Sequence, residues 1–302
     1  MKAVVINGFG GVDQLAIQNV DEPEVGRGEV LVRVHATSVN PIDIKIRNGS
    51  AAKLMGVELP AILGRDLAGE VVRAGEGVVG FEKGQRVMAL ANGTYAEFTT
   101  ARADVLAPIP DKLSYEQAAS LPLVLLTGAQ LIERAVKVEP GWTVLVLGAL
   151  GGVGRSAVHV ALKHGAKVIA AVRASQLKEA QSLGVQQIVS TDDERQLELL
   201  HDLDAVADTI NGATAGRALK ALKPGGVFGS VVGPPADAAK HNVRVAAMQA
   251  VPDASRLYEL ADEIARGEFI IPIANTLPLD QIQEAHREAE NHPSGKIVIK
   301  VA

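Results

Sequence analysis

Four glycines crowd seven residues of this sequence, at Gly148, Gly151, Gly152 and Gly154. Ahead of them Val144 to Leu147 form an unbroken apolar run, suited to a strand buried on both faces of a parallel sheet. Behind them Ala157, Val158, Val160, Ala161 and Leu162 follow a helical pattern, with Lys163 and His164 in the last turn and Gly165 as the stop. Strand, glycine turn and helix together let a backbone approach a pyrophosphate closely, and the helix N-terminus adds unpaired N–H groups and partial positive charge. The strict G-x-G-x-x-G would need glycine where this chain has Ala149; Gly148-x-x-Gly151-x-x-Gly154 is what remains. The residues expected at a dinucleotide phosphate are therefore Gly148, Leu150, Gly151, Gly152, Val153 and Gly154. A glycine-rich turn without a ligand is the alternative.

A second cluster lies about twenty residues further on, where such folds place the adenosine ribose. The apolar run Lys167 to Val172 reads as a second strand and ends at Arg173; Ser175 and Lys178 follow, with no acid before Glu179. An acid at that place accepts from the 2′-hydroxyl of NAD, whereas an arginine accommodates the 2′-phosphate of NADP. The pattern predicts NADPH, with Arg173, Ser175 and Lys178 at the phosphate and Thr191 or Ser190, closing the third strand, facing it. The plain alternative is an Arg173 that points into solvent.

The rest of the chain must position these groups. At 302 residues it is long for one core, and two domains are expected; 22% charged and 47% hydrophobic residues are ordinary globular composition. A net charge of −5 leaves no basic stripe for nucleic acid. With no cysteine, disulfides, thiol nucleophiles, Cys-ligated zinc and iron–sulfur clusters drop out. The start turns at Asn7-Gly8 before a signal-peptide core forms, and no apolar run is long enough for a membrane helix. A cytoplasmic protein is expected.

Up to about Pro108 short strands alternate with turn signals: Met1 to Ile6, Glu29 to Ala36, Leu67 to Ala74 and Gln85 to Leu90. This predicts an antiparallel, barrel-like β domain. Ser114 and Gln117 then form a capping box. Helices and strands alternate beyond it: a helix at Ser175 to Leu183, a strand at Gln187 to Ser190, a strand at Ala205 to Ile210, a helix at Ala213 to Leu222 and a strand at Gly226 to Val232. That alternation predicts a doubly wound parallel sheet. Asp253 caps a helix to Arg266 with Gly267 beyond it, and the tail Ser294 to Val301 is a strand returning to the β domain. The expected division is 1–113 with 268–302 for the β domain, and 114–267 for the dinucleotide domain.

By its motifs the sequence resembles the medium-chain dehydrogenase/reductase superfamily, and within it the zinc-free quinone and enone reductases. The resemblance rests on Ser38-Val39-Asn40-Pro41-Ile42-Asp43-x-x-Ile46-Arg47-x-Gly49, Pro60-x-x-x-Gly64-x-Asp66-x-x-Gly69-x-Val71, Gly93-Thr94-Tyr95-Ala96-Glu97-Phe98, Leu121-Pro122, Thr127, the glycine turn, Leu222-Lys223-Pro224-Gly225-Gly226 and Gly295-Lys296-Ile297-Val298. It implies an α/β chain with an N-terminal GroES-like β-barrel domain and a Rossmann domain, a homodimer, and hydride transfer from NADPH to a small quinone or α,β-unsaturated carbonyl. Zinc-dependent members carry a Cys near the place of Asn40 and a Gly-His-Glu where this chain has Gly64-Arg65-Asp66. Arginine does not ligate zinc, so no metal is expected.

The resemblance further implies that Asn40 and Asp43 lie beside the nicotinamide ribose, that Pro122 and Thr127 line the same crevice, and that Thr209, Val232 and Gly233 reach it from the sheet's carboxyl ends. Asp43 has an alternative, a salt bridge to Arg47 four residues on. Lys45 matches a position where several relatives carry a tyrosine proposed to touch substrate; it would donate a proton if desolvated, or else face solvent. Tyr95 reads as part of a structural strand. The segment Asn242 to Val245 reads as an edge strand pairing across a dimer or as an interior strand. Two other activities fit the same motifs: an enoyl-thioester reductase, which would want a basic cluster the chain lacks, and a crystallin-like NADPH-binding protein of low turnover.

Overall fold

A computed structural model of the chain describes residues 1–301, which fall into two units, Met1–Leu123 with Pro252–Ala302, and Val124–Val251. These bounds differ from the division anticipated above. The capped helix Tyr115–Ala119 contacts strands Glu29–Val39 and Asp66–Ala74, and helix Ala254–Ala265 contacts Ala107–Pro108, so both count with the β unit.

In that unit the long strand Glu29–Val39 is central. It pairs antiparallel with Asp66–Ala74, with Phe98–Arg102 and, through Ile297 to Lys300, with the C-terminal strand Lys296–Lys300. The return of the chain's end to the first unit, expected from the sequence, is thus made by main-chain hydrogen bonds. Val30, Val32, Val34, Leu67, Val71 and Val87 alternate inward as one buried cluster. A second cluster joins Val4, Ile6, Ile46, Tyr95, Ile282 and Ile297. It gathers two elements the strand pattern missed, helices Pro41–Arg47 and Ile282–Glu290.

The unit Val124–Val251 holds one wholly parallel sheet. Its order is Gln187–Ser190, Lys167–Val172, Thr143–Leu147, Leu203–Asp208, Leu222–Ser230, Arg244–Ala247. Thr143–Leu147, the first of these in the chain, lies in the middle, and the chain winds away from it in both directions. The place where strand order reverses is where doubly wound sheets leave a crevice for a ligand. Leu145, Leu147, Ile169, Ala171, Val206 and Phe228 form its core, and the continuous apolar runs follow from burial on both faces. Arg244–Ala247 occupies the sheet's edge rather than its interior. Among the described residues no helix is long and apolar enough to cross a membrane.

Candidate active site

The central strand ends at Leu147, and the chain turns at Gly148 with φ +73°. A side chain there would stand 2.6 Å from Thr209 Oγ1 and Ile210 Cγ2. At Gly154 a Cβ would meet the Gly148 carbonyl oxygen at 2.1 Å, so this glycine lets the helix Gly152–Lys163 lie against the strand end. Gly151 differs: a Cβ would find only the Gly148 oxygen, at 3.3 Å, and its outer face is open. The Gly151 N–H donates to Gly148 O at 2.9 Å, and the Arg155 N–H donates to Gly151 O at 2.8 Å. That leaves the N–H groups of Gly152, Val153 and Gly154 in the helix's first turn without an intrahelical acceptor, and no acid stands there. Three such donors at the positive end of a helix suit an anion. The helix carrying Thr127 packs behind them. Ser156 Oγ donates to Leu125 O at 2.8 Å, and a side chain at Gly128 would strike Val153 O at 2.4 Å.

Arg173, Ser175 and Lys178 lie on the segment after Lys167–Val172, and all three are exposed. The helix expected over Ser175 to Leu183 is broken into two 3₁₀ turns flanking one α-turn, Leu177–Ala180. Side chains compete for its first backbone donors. Gln176 Oε1 takes the Arg173 N–H at 3.2 Å, and Asp192 Oδ2 takes the Ala174 N–H at 2.6 Å. Thr191 is a partial correction: its hydroxyl donates to Val172 O at 3.2 Å, so its proton is already committed rather than offered to a phosphate. Asp192 and Arg155 were not singled out from the sequence. Arg155 is buried, donates from Nε to Leu150 O at 3.1 Å and pairs with Glu179.

At the carboxyl ends of the next strands the boundaries expected at Ile210 and Val232 move back to Asp208 and Ser230. Buried Asp208 takes the N–H groups of Ile210 and Asn211 at 3.0 and 2.9 Å, and Ser230 Oγ at 2.9 Å. Capture of those N–H groups ends the first ladder and turns Thr209 into the loop against Gly148. Thr209 Oγ1 donates to Leu147 O at 2.7 Å. Ser230 Oγ likewise accepts the Val232 N–H at 3.2 Å, ahead of Gly233 at φ +98°.

The other unit holds a buried polar knot. Asp66 is its centre: Oδ2 accepts from Ser38 Oγ at 2.5 Å and Asn40 Nδ2 at 2.7 Å, and Oδ1 from the Leu123 N–H at 2.7 Å. Lys296 Nζ lies 2.5 Å from Asn40 Oδ1, 3.2 Å from Val39 O and 3.4 Å from Asp66 Oδ2. Asn40 and Asp43 are completely buried. Where both side chains were expected beside the nicotinamide ribose, Asn40 is engaged by Asp66 through Nδ2 and by Lys296 through Oδ1. Asp43 caps its own helix by taking the Asn40 N–H on Oδ2 at 2.9 Å, and its Oδ1 has no hydrogen-bond partner. Burial pushes the Asp43 carboxyl up to about 7; Asp66 adds to this, and the Asn40 N–H, Lys296 and Arg65 oppose it. The alternative Asp43–Arg47 bridge does not form either. Arg47 Nη1 lies 3.1 Å from His286 Nδ1, its Nε donates to Gly10 O at 3.3 Å, and its Nη2 pairs with Glu290 at 2.5 Å.

A guanidinium can only donate, so His286 accepts at Nδ1 and carries its proton on Nε2, 3.3 Å from the Tyr95 hydroxyl. Burial first, then the Arg47 charge, lower the His286 imidazole to about 3. Burial, then the charges of Asp43 and Asp66, hold the Tyr95 phenol well above its ordinary value. Tyr95 is thus structural, although it lies in a bend ahead of the strand Phe98–Arg102 rather than within a strand. Lys45 is exposed on the helix Pro41–Arg47, which removes the desolvation its acid role required. Pro122 is buried at the first position of Pro122–Gln130.

The set that matters most in this unit, Asp66 and Lys296, stands in the sequence motifs without any sign of its role. The available signal was a lysine beginning the otherwise apolar Lys296-Ile297-Val298-Ile299, and a carboxylate at the head of a buried strand. The donor set around Asp66 does not suit zinc. There is no cysteine, Asp66 is saturated, and Arg65 occupies the remaining ligand place with Nη1 on Asn92.

Residues 26–111 match the family described as alcohol dehydrogenase GroES-like domain, and residues 183–299 the one described as zinc-binding dehydrogenase. The chain is 36% identical to a quinone oxidoreductase of Mus musculus over 172 residues, 56% of this chain and 51% of that protein, so this match spans about half of the relative. It is 30% identical over 316 aligned positions to the NADPH-dependent alkenal/one oxidoreductase, chloroplastic, of Arabidopsis thaliana, covering 99% of this chain and 79% of that one. The solved quinone oxidoreductase from Coxiella burnetii superposes with a TM-score of 0.91 at 31% identity, over 100% of this chain and 99% of that chain.

Proposed function

We propose, for a chain that belongs to the medium-chain dehydrogenase/reductase superfamily, that it is a metal-independent reductase taking hydride from NADPH to a quinone or an α,β-unsaturated carbonyl. The observation that carries this reading is the phosphate cradle of Gly152, Val153 and Gly154 at the sheet's switch point, followed by exposed Arg173 and Lys178. NADPH, when bound, supplies the hydride. The chain's own part is to bind, to orient and to exclude water. The three free N–H groups hold the pyrophosphate, Thr209 and Gly148 shape the turn beside it, and Arg173 with Lys178 meets the 2′-phosphate. The acceptor follows from what the chain lacks. With Arg65 at the place where zinc-dependent relatives carry a ligand, and Lys45 exposed, a simple ketone would go unpolarised there, whereas a quinone or enone accepts hydride with modest help. The names of the mouse, plant and Coxiella relatives support the same acceptors. The open edge of Arg244–Ala247 supports pairing of two copies.

NADPH oxidation followed with a quinone panel, an enal panel and an enoyl-thioester tests the reading. Turnover of quinones or enals, unchanged by exhaustive chelation, is expected. A loss restored by zinc, or a preference for the thioester, contradicts it; binding of NADPH with negligible turnover throughout makes the chain a binding protein instead.

A further inference from the structure

Arg155 is an unexpected residue for its place. It sits in the helix Gly152–Lys163 just past the three free N–H groups, where the macrodipole disfavours a cation. It is 5% exposed, so its charge is largely out of water. Two contacts offset that cost. Nε donates to Leu150 O at 3.1 Å, and Nη2 pairs with Glu179.

The first contact fixes one peptide plane. The Leu150 carbonyl is held by Arg155 while the N–H of the same peptide, that of Gly151, donates to Gly148 O at 2.9 Å. With both its polar atoms tied, this peptide cannot flip, and the N–H groups that follow it keep their outward aim. The second contact reaches the short helix Leu177–Ala180, which carries Lys178 beside Glu179. Glu179 is the only acid from Arg173 to Thr191. The next acid, Asp192, is engaged by the Ala174 N–H at 2.6 Å.

We infer that Arg155 is a positioning residue that ties the pyrophosphate turn to the 2′-phosphate segment and sustains the preference for NADPH by holding Glu179 away from that phosphate. This rests on the NADPH reading above. Loss of the tie to Leu150 weakens both cofactors alike, because both carry the pyrophosphate. Release of Glu179 penalises only the cofactor with the 2′-phosphate.

The test is fluorescence titration of NADPH and NADH against the full chain, for wild type, R155M, R155M/E179Q and R155K. R155M is expected to weaken NADPH by about tenfold or more, the scale of one charge-assisted contact, and NADH by clearly less. R155M/E179Q should recover the wild-type ratio of the two affinities while both remain weaker than wild type. R155K keeps a cation for Glu179 without the fork that also reaches Leu150, so it should hold the ratio and lose affinity for both. It carries the test alone if R155M does not fold. Variants that bind both cofactors like wild type, an R155M that weakens both equally, or a double variant whose ratio stays low overturns the inference. A wild type that prefers NADH overturns the NADPH reading, and this inference with it; a wild type that prefers NADPH leaves the variants to decide on Arg155 alone.

Discussion

The two units put their polar groups to opposite uses. In Val124–Val251 the groups that matter face outward: three backbone N–H groups at a helix start and two cations a strand later. In the unit of Met1–Leu123 with Pro252–Ala302 they face inward, where Asp66, Lys296, Asn40, Ser38 and Asp43 satisfy one another or remain unsatisfied below the surface. The first arrangement spends little stability on recognition, since backbone donors at a helix end are there in any case. The second is costly to disturb, because every member it loses strands another in low dielectric.

The largest effect should come from breaking the knot. Asp66→Ala removes the acceptor of four donors and leaves Lys296 buried without its carboxylate. A loss of about 3–5 kcal/mol in chemical denaturation is expected. A change under about 1 kcal/mol would mean that the knot is not what holds these segments together.

Gly154→Ala comes next. Its Cβ would need space 2.1 Å from the Gly148 oxygen, and overpacking of this kind costs about 1–3 kcal/mol. Because strand and helix must part, NADPH affinity should fall along with the melting temperature. A variant that melts lower yet binds NADPH as wild type does would separate the cradle from the close approach.

Asp43→Asn sharpens the comparison through pH. The folded carboxyl is raised to about 7 against 3.8 for an unperturbed aspartate, so between those values the folded state holds more protons than the unfolded one. Stability drawn from this group therefore falls as pH rises through that window, and the cost, on the order of 4 kcal/mol at most, is complete above it. Asparagine keeps an acceptor for the Asn40 N–H and never ionises. Its advantage over wild type should be absent near pH 3 and grow up to about pH 8. His286, lowered to about 3, gives the reverse slope, with stability lost as pH falls below about 6.5, and this cancels in the difference between the two proteins. An advantage that is flat with pH would place the Asp43 charge elsewhere.

The smallest effect is assigned to Lys45→Ala. An exposed lysine should cost less than about tenfold in kcat on quinones, against the 10²–10⁴ of a well-placed general acid. A larger loss would return Lys45 to the chemistry.

Legibility in the sequence follows the same divide. The glycine turn could be read because part of its reason is local: Gly151 and Gly154 both answer to the Gly148 carbonyl oxygen a few residues away. Gln187–Ser190 was read to the residue, because a short apolar stretch bounded by turn signals leaves little choice. The strand ends after Asp208 and Ser230 were misplaced since two buried side chains capture the N–H groups that follow them. The polar knot was hardly legible, because it is assembled from residues 38–43, 66, 123 and 296, and no local period links a carboxylate at 66 to a lysine at 296. Resemblance put Asn40 and Asp43 near the chemistry but could not tell a side chain that touches a ligand from one that supports the wall beneath it.

The outward-facing segment of Val124–Val251 carries the central claim, and Arg173→Ala tests it most directly. Arg173 is exposed and its side chain makes a long bond, Nε to Gln176 Oε1 at 3.4 Å. A charge-assisted hydrogen bond to a 2′-phosphate is worth roughly 1.5–3 kcal/mol. Titrated against both cofactors, the variant should bind NADPH about ten- to a hundredfold more weakly and NADH almost as wild type does, with added salt reproducing part of the loss. A wild type that prefers NADH, with Asp192 rather than Arg173 facing the ribose, or a variant that weakens both cofactors equally, would contradict the account.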